Sequence, residues 1–266
     1  MKKFNYHIPN NLNQSYKIFK DTEYPQYLAG GMTLLPSMKQ GLSQPSDIID
    51  ITLIEDLKGI YEDKNFIKVG AMNSHNDIAS NISIKKNLPG LSYLASKIAD
   101  NAVRNKGTLG GSICNADPAA DYPAALISLD AKIITNLREI ESKDFFVDMF
   151  ETNLEEGEIL KSVLFSKKAF SCYEKFANQA SKYAIAGVFT SAQNDLVSIA
   201  ITGVSNKAFL LNEMYNLNLD KAKKFNLDEI NFKEYDINSD INGSADYKIS
   251  LIKTLIRKNF STTFYE

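Results

Sequence analysis

The spacing of apolar residues divides the chain into three stretches of different texture. Leu12, Tyr16 and Phe19 recur at helical intervals behind Asn10 and Asn11, which can cap a helix, and Tyr24 to Leu28 then reads as a short strand. A glycine pair and a short helical turn follow, with a stop near Lys39 and Gly41, and Asp47 to Ile51 resumes as a strand. The first fifty residues therefore predict a compact β-α-β unit. A second unit opens near Leu57, with a strand at 66–69. Leu88, Leu91, Leu94, Ala95, Ile98, Ala99 and Ala102 then mark one face of a long helix. Asp117-Pro118 reads as an N-cap followed by proline at the first helical position, which predicts a helix from Ala119 to about Leu129. Strands are expected at 131–135 and 159–165.

From Phe170 the pattern changes to long β-like runs at 171–177, 183–192 and 196–204, the last two joined by the turn residues Asn194-Asp195. A separate antiparallel sheet is expected there. Residues 212–245, rich in Asn, Asp and Lys, predict loops with short helices. Tyr247, Leu251, Ile252, Leu255 and Ile256 then form the apolar side of an amphipathic helix suited to cover that sheet. There is no internal repeat.

Composition narrows the function classes. With 266 residues, 44% hydrophobic and 23% charged, the chain has the makeup of an ordinary globular protein. A formal net charge of −2 gives no general attraction to nucleic acid or to an anionic membrane. The start of the chain reaches Pro9 without an apolar stretch, and nothing approaches the ~20 apolar residues of a membrane span, so a cytoplasmic location is expected. Cys114 and Cys172 are too few to hold an iron–sulfur cluster or a tetrahedral zinc, and read as small buried apolar residues.

Two glycine-rich stretches about eighty residues apart carry the candidate chemistry, Ala29-Gly30-Gly31-Met32-Thr33-Leu34-Leu35-Pro36 and Arg104-Asn105-Lys106-Gly107-Thr108-Leu109-Gly110-Gly111. Each sets glycines between an apolar run and helix-start residues, so that bare N–H groups converge on an anion without a Cβ in the way. Taken singly, the first is also a tight turn and the second a helix stop with a close packing point. Together they point to a large phosphate-bearing cofactor. No G-x-G-x-x-G follows a predicted strand and no G-x-x-x-x-G-K-[ST] occurs, which disfavours Rossmann and P-loop sites. Neither His7 nor His75 sits in a nucleophile motif, and His75, after Asn73-Ser74, is read as a helix-start capping or packing residue. Asp117 is read as a cap and Asp121 as a hydrogen-bond acceptor facing the cofactor.

These residues resemble the FAD-binding subunits of molybdenum hydroxylases, the group that contains xanthine dehydrogenase, nicotinate dehydrogenase and aerobic carbon monoxide dehydrogenase. Residues 29–36 are similar to that family's A-G-G-x-[DS]-L-L-P loop. Residues 104–112, then Asn115-Ala116-Asp117-Pro118-Ala119-Ala120-Asp121, resemble its R-N-x-G-T-I-G-G-N…N-A-x-P-A-A-D pattern. Tyr173-Glu174-Lys175-Phe176, Tyr183 to Val188, Gly203-Val204 and Tyr247 to Lys258 extend the likeness over almost the whole chain. The fold it implies is α+β: a two-part FAD-binding domain of the vanillyl-alcohol-oxidase (PCMH) type, at 1–56 and 57–168. A small α+β C-terminal domain of the carbon monoxide dehydrogenase flavoprotein type, with an antiparallel sheet, would follow at 169–266.

By position, the resemblance implies that Ala29, Gly30, Gly31, Met32, Thr33, Leu34 and Leu35 form one side of a noncovalent FAD site. Thr108, Leu109, Gly110, Gly111, Ser112 and Asn115 would form the other. Backbone amides of 30–34 and 108–111 would hold the pyrophosphate. Asp121 would accept from ribityl or sugar hydroxyls, Ile98 would lie against the flavin, and Leu160 with Ile185 and Gly187 would border the adenine or ring edges. Met32, Thr33 and Ser112 depart from frequent family residues, and Thr33 keeps a hydroxyl that can donate or accept. The implied role is electron transfer from 2Fe-2S clusters on a small partner subunit, through FAD, to NAD or another acceptor. Substrate is oxidised at a molybdenum cofactor on a large partner subunit. An FAD-poor assembly or scaffold subunit and a stand-alone flavin oxidoreductase are the alternatives.

Overall fold

A computed structural model describes residues 2–168 and 170–263. Met1, Ala169, where the expected third segment starts, and 264–266, where it ends, lie outside the described residues. The chain opens with β1 (Asn5–His7), α1 (Leu12–Asp21), β2 (Pro25–Leu28), α2 (Leu34–Gln40) and β3 (Asp47–Asp50). The three strands form a parallel sheet in the order β1-β3-β2, so β2-α2-β3 is the anticipated β-α-β unit. Asn11 caps α1 by accepting from the Gln14 N–H at 2.9 Å. α2 stops at Gly41, whose φ of 78° is left-handed and suits glycine. β1 is further pinned by His7 Nε2, 2.7 Å from Asp47 Oδ1; this bond contributes most to holding the Asp47 carboxyl below its usual range. Ile49, Ile51, Ile54, Leu57 and Ile159 form the core beneath.

The second part comprises β4 (Ile60–Glu62), β5 (Phe66–Gly70), α3 (His75–Ser80), α4 (Ile82–Asn87), α5 (Pro89–Ser96), α6 (Asn101–Lys106), α7 (Leu109–Asn115) and α8 (Tyr122–Ser128). It continues through β6 (Lys132–Thr135), β7 (Glu139–Glu141), α9 (Ser142–Phe145), the hairpin β8 (Phe146–Asp148) and β9 (Glu151–Thr152), and β10 (Leu160–Ser166). An antiparallel sheet, β4-β5-β10-β6-β7, backs the helices. The single long helix expected over 88–102 is two helices. Pro89 starts α5, Ala99 turns left-handed at φ 41°, and Asp100 caps α6 by accepting from the Val103 N–H. The helix expected from Ala119 begins at Tyr122 instead. Asp117 does accept a backbone bond, from the Ala119 N–H at 2.9 Å, but it closes a turn ahead of α8. Every residue of α8 is buried, as a helix wedged between two sheets must be.

The third part is antiparallel: β11 (Phe170–Ala177), β12 (Ala184–Gln193), β13 (Leu196–Thr202) and β14 (Phe209–Leu210) pair in that order, and β15 (Leu217–Asn218) also pairs with β13. Asn194 and Asp195 both have positive φ, 51° and 61°, which gives the tight hairpin the two residues announced. α10 (Leu219–Lys224) and short helical turns fill 212–245, and α11 (Ala245–Thr263) lies across β11 and β12. Tyr173, Phe189 and Ala200 pack toward α5 and α8, while Val188, Ile199 and Ile201 pack with Ile252 and Ile256 of α11. Cover on both faces explains why β12 is almost continuously buried instead of alternating. No helix among the described residues is long and apolar enough to cross a membrane.

Candidate functional site

Folding closes the eighty-residue gap between the glycine stretches. A Cβ built on Gly30 would sit 1.9 Å from the Lys106 carbonyl oxygen and 2.9 Å from the Gly107 Cα, so the two loops touch backbone to backbone. Gly31 has φ 72°, a left-handed turn that directs the chain into α2. Among the described residues, the N–H groups of Gly30 to Leu34 donate no hydrogen bond, and Thr33, at the N-cap of α2, makes no side-chain capping bond. Five successive backbone donors and one hydroxyl are thus left for a ligand.

The second loop is built differently. The Leu109 N–H donates to Asn73 O, Gly110 N–H to Ala71 O at 2.8 Å, and Gly111 N–H to the capping Thr108 Oγ1 at 3.1 Å. Of the amides expected from 108–111 to face an anion, the Thr108 N–H is the one that makes no such bond among the described residues. A Cβ on Gly110 would lie 2.7 Å from Ala71 Cβ, so this glycine serves close packing against the strand end. The second loop therefore supplies shape, and the first supplies donors.

Both loops line a cleft of about 740 Å³, within the range of a site for a large organic ligand. Its glycine-rich lining with unengaged backbone donors fits a diphosphate, and its volume, with apolar lining from Tyr27, Ile51, Ile98 and Tyr183, fits the aromatic ends of FAD. Acidic residues in the lining would oppose an anion were they unpaired. Glu158 is held by Arg138 (3.1 Å), Thr135 (2.6 Å) and the Glu155 N–H (2.7 Å). Burial acts upward on its carboxyl, but these partners keep it below the usual range. Asp121 accepts from Tyr173 Oη on one oxygen and lies 2.9 Å from Lys175 Nζ on the other. Burial pushes its carboxyl up, against the pull of Lys175 and Tyr173. Asp117 is raised by burial, and Lys182 adds a cation to the rim.

Of the residues anticipated from sequence, Ala29, Gly30, Gly31, Met32, Thr33, Leu34, Ile98, Thr108, Gly110, Gly111, Ser112, Asn115, Asp121 and Leu160 line this cleft. Leu35 faces a smaller adjoining groove, and Leu109 is fully buried in the core. Ile185 and Gly187 sit along β12 outside the lining; the tip of the same hairpin, Ser181, Lys182 and Tyr183, reaches the cleft instead. Gly187 is where Tyr173 packs, with a Cβ there 2.6 Å from Tyr173 Oη. Sequence reasoning missed the carboxylate partners Lys175, Tyr173 and Arg138, whose spacing along the chain carries no local pattern. His75 lines the cleft as N1 of a helix capped by Ser74, with Nδ1 3.1 Å from Tyr122 Oη. Burial lowers its pKa to about 4, helped by nearby Arg104. Cys114 and Cys172 are both half-buried; burial, with Glu158 nearby, pushes the Cys114 thiol up to about 12, and Cys172 Sγ lies 4.0 Å from the Asn259 carbonyl oxygen.

Comparison with known proteins agrees with this geometry. The family model for the FAD binding domain in molybdopterin dehydrogenase matches residues 2–166. The chain is 31% identical to the glyceraldehyde dehydrogenase medium chain of Sulfolobus acidocaldarius, covering 97% of each chain. It is 30% identical to the carbon monoxide dehydrogenase medium chain of Hydrogenophaga pseudoflava, covering 96% of this chain and 95% of that one. Among solved structures, the Hydrogenophaga pseudoflava carbon monoxide dehydrogenase superposes with a TM-score of 0.87 at 27% identity, over 99% of this chain and 98% of the other. Quinoline 2-oxidoreductase from Pseudomonas putida 86 gives 0.86 at 26% identity, over 98% of each chain. The fold is thus the α+β arrangement of these flavin subunits, and the chain belongs to the FAD-binding family of molybdopterin dehydrogenases, as an oxidoreductase subunit.

Proposed function

We propose that this chain holds one FAD noncovalently in the cleft and relays electrons between 2Fe-2S clusters on a partner subunit and NAD or another terminal acceptor. The observation that carries the reading is the meeting of the two glycine loops in the lining of one cleft, with the N–H groups of 30–34 unengaged among the described residues. Those amides and the Thr33 hydroxyl would bind the pyrophosphate, and the buried Gly107–Gly110 turn would keep the facing wall close. Ion pairing of Glu158 and Asp121 lowers the negative charge the ligand meets. FAD, when bound, supplies the redox chemistry that the side chains cannot. Residues 1–56, 57–168 and 169–266 are taken as the working units, with the hairpin tip of the third closing one end of the cleft.

Relatives named as medium chains or subunits support a division of labour in which the molybdenum cofactor belongs to a large subunit and the clusters to a small one. Two cysteines cannot supply the four thiolates of a cluster, in keeping with that division. Affinity purification of the tagged chain from its own cells tests the assignment. It should recover FAD together with a molybdenum-containing large chain and an iron–sulfur chain. Recovery of an FAD-loaded chain alone, reduced by NADH at the rate of a working enzyme, would replace the relay with a stand-alone flavin oxidoreductase.

A further inference from the structure

We infer that Lys175 is a positioning residue that ties the tip of the β11–β12 hairpin to the wall of the cleft. Its ammonium is almost fully buried and makes two bonds in opposite directions, 2.9 Å to Asp121 Oδ2 and 2.8 Å to the Lys182 carbonyl. Asp121 stands at the start of α8 in the cleft lining, and Lys182, at φ 63°, is the strained centre of a tip that also brings Ser181 and Tyr183 to the cleft. The tip has few other holds on the wall: Asn178 closes it internally through Lys182 and Tyr183, and Asn178 Nδ2 reaches Asn242 at 3.3 Å. Next to the tip, the first residue of β12 joins the same wall, the Ala184 N–H meeting Ala119 O, and at the end of β13 the Gly203 N–H meets Pro118 O and Thr202 Oγ1 meets Ala120 O at 2.7 Å. Segment 118–120 is thus sewn to the start of β12 and the end of β13 by neutral bonds, while residues 178–183 beyond them are tied to Asp121 by the charge-assisted bridge of Lys175. Tyr173, packed against Gly187, holds the other Asp121 oxygen and fixes the direction in which the carboxylate presents itself to Lys175.

The cofactor part of this inference rests on the proposed FAD reading; the tether itself does not. Amide hydrogen exchange of the cofactor-free full chain reads the tether directly. Lys175→Met should speed exchange at Asn178 and Lys182 by about tenfold or more, the scale of one charge-assisted hydrogen bond, and leave β13 unchanged. Because that variant strands a buried carboxylate, Asp121→Asn/Lys175→Met is made beside it; it removes both charges and should fold while still showing the faster exchange. In FAD titrations, Lys175→Met should weaken binding about tenfold and shift the visible flavin band, and Lys175→Arg should restore both toward the native values. Unchanged exchange at the tip in the folded double variant would overturn the tether. Loosened exchange with an unaltered flavin band and affinity would overturn its effect on the site. A native chain that takes up no FAD would refute the FAD reading and leave the exchange result to decide the tether.

Discussion

Gly30→Ala is the sharpest perturbation of the loop contact. The new Cβ would lie 1.9 Å from the Lys106 carbonyl oxygen, 2.7 Å from its carbon and 2.9 Å from the Gly107 Cα, all backbone atoms at the end of α6. No side chain can rotate away, so the loops must part by roughly 1 Å before the contact becomes tolerable. Overpacking of this kind costs about 1–3 kcal/mol, or roughly 3–10 °C in Tm for a chain of this size. A ~1 Å displacement of a binding wall should also weaken FAD binding on the order of 100-fold, since the donors of 30–34 no longer converge with Thr108. Gly41→Ala is the control. Gly41 has φ 78° but a Cβ there meets only Gln44 Nε2, at 3.6 Å, so it should cost about 1 kcal/mol of stability and leave FAD affinity unchanged. Isothermal titration of apo protein with FAD, alongside thermal unfolding, reads both. Gly30→Ala binding FAD as tightly as the native chain would refute the loop-contact argument.

His75 is held neutral by burial, with a pKa near 4 against 6.5 when unfolded, so its contribution is fully present above pH 6.5 and is lost as pH falls toward 4. Thermal unfolding should show native stability dropping roughly 2–3 kcal/mol more than that of His75→Phe between pH 7 and 4.5, and parallel pH profiles would contradict this. Arg138→Met leaves the Glu158 carboxylate buried without its cation. The urea midpoint at pH 7 should fall relative to the native chain, and an unchanged midpoint would show the pair to be unimportant. Asp195→Gly, at φ 61° in the β12–β13 turn, should stabilise the chain by about 0.5–1 kcal/mol without affecting FAD titration; destabilisation would mean the turn is held by more than its backbone preference.

The first β-α-β unit was legible because its signals are local: Asn11 as cap, Gly41 as stop, and a glycine pair between strand and helix. The break in the helix over 88–102 was hidden because a non-glycine residue, Ala99, takes the left-handed turn, although Asp100-Asn101 carried a usable cap signal. The later start of α8 has a similar cause: Asp117 caps a turn with the same chemistry it would use for a helix. The glycine loops announced themselves as a site, but not which of their amides is free. That depends on Asn73 and Ala71, some forty residues away from the second loop, which consume the amides of 109 and 110. Likewise the pairing of Asp121 with Tyr173 and Lys175 joins residues 52 and 54 positions apart in sequence. No periodicity encodes such a distance; the packing of α8 against the third sheet creates it.

The central claim, that the two loops enclose one FAD, is tested most directly by titrating the apo chain with FAD and following flavin fluorescence and the visible band. Saturation at one FAD per chain, with a red-shifted structured band in the native protein and binding weakened on the order of 100-fold in Gly30→Ala, is the predicted result. A folded native chain that takes up no FAD at any concentration tried would contradict it.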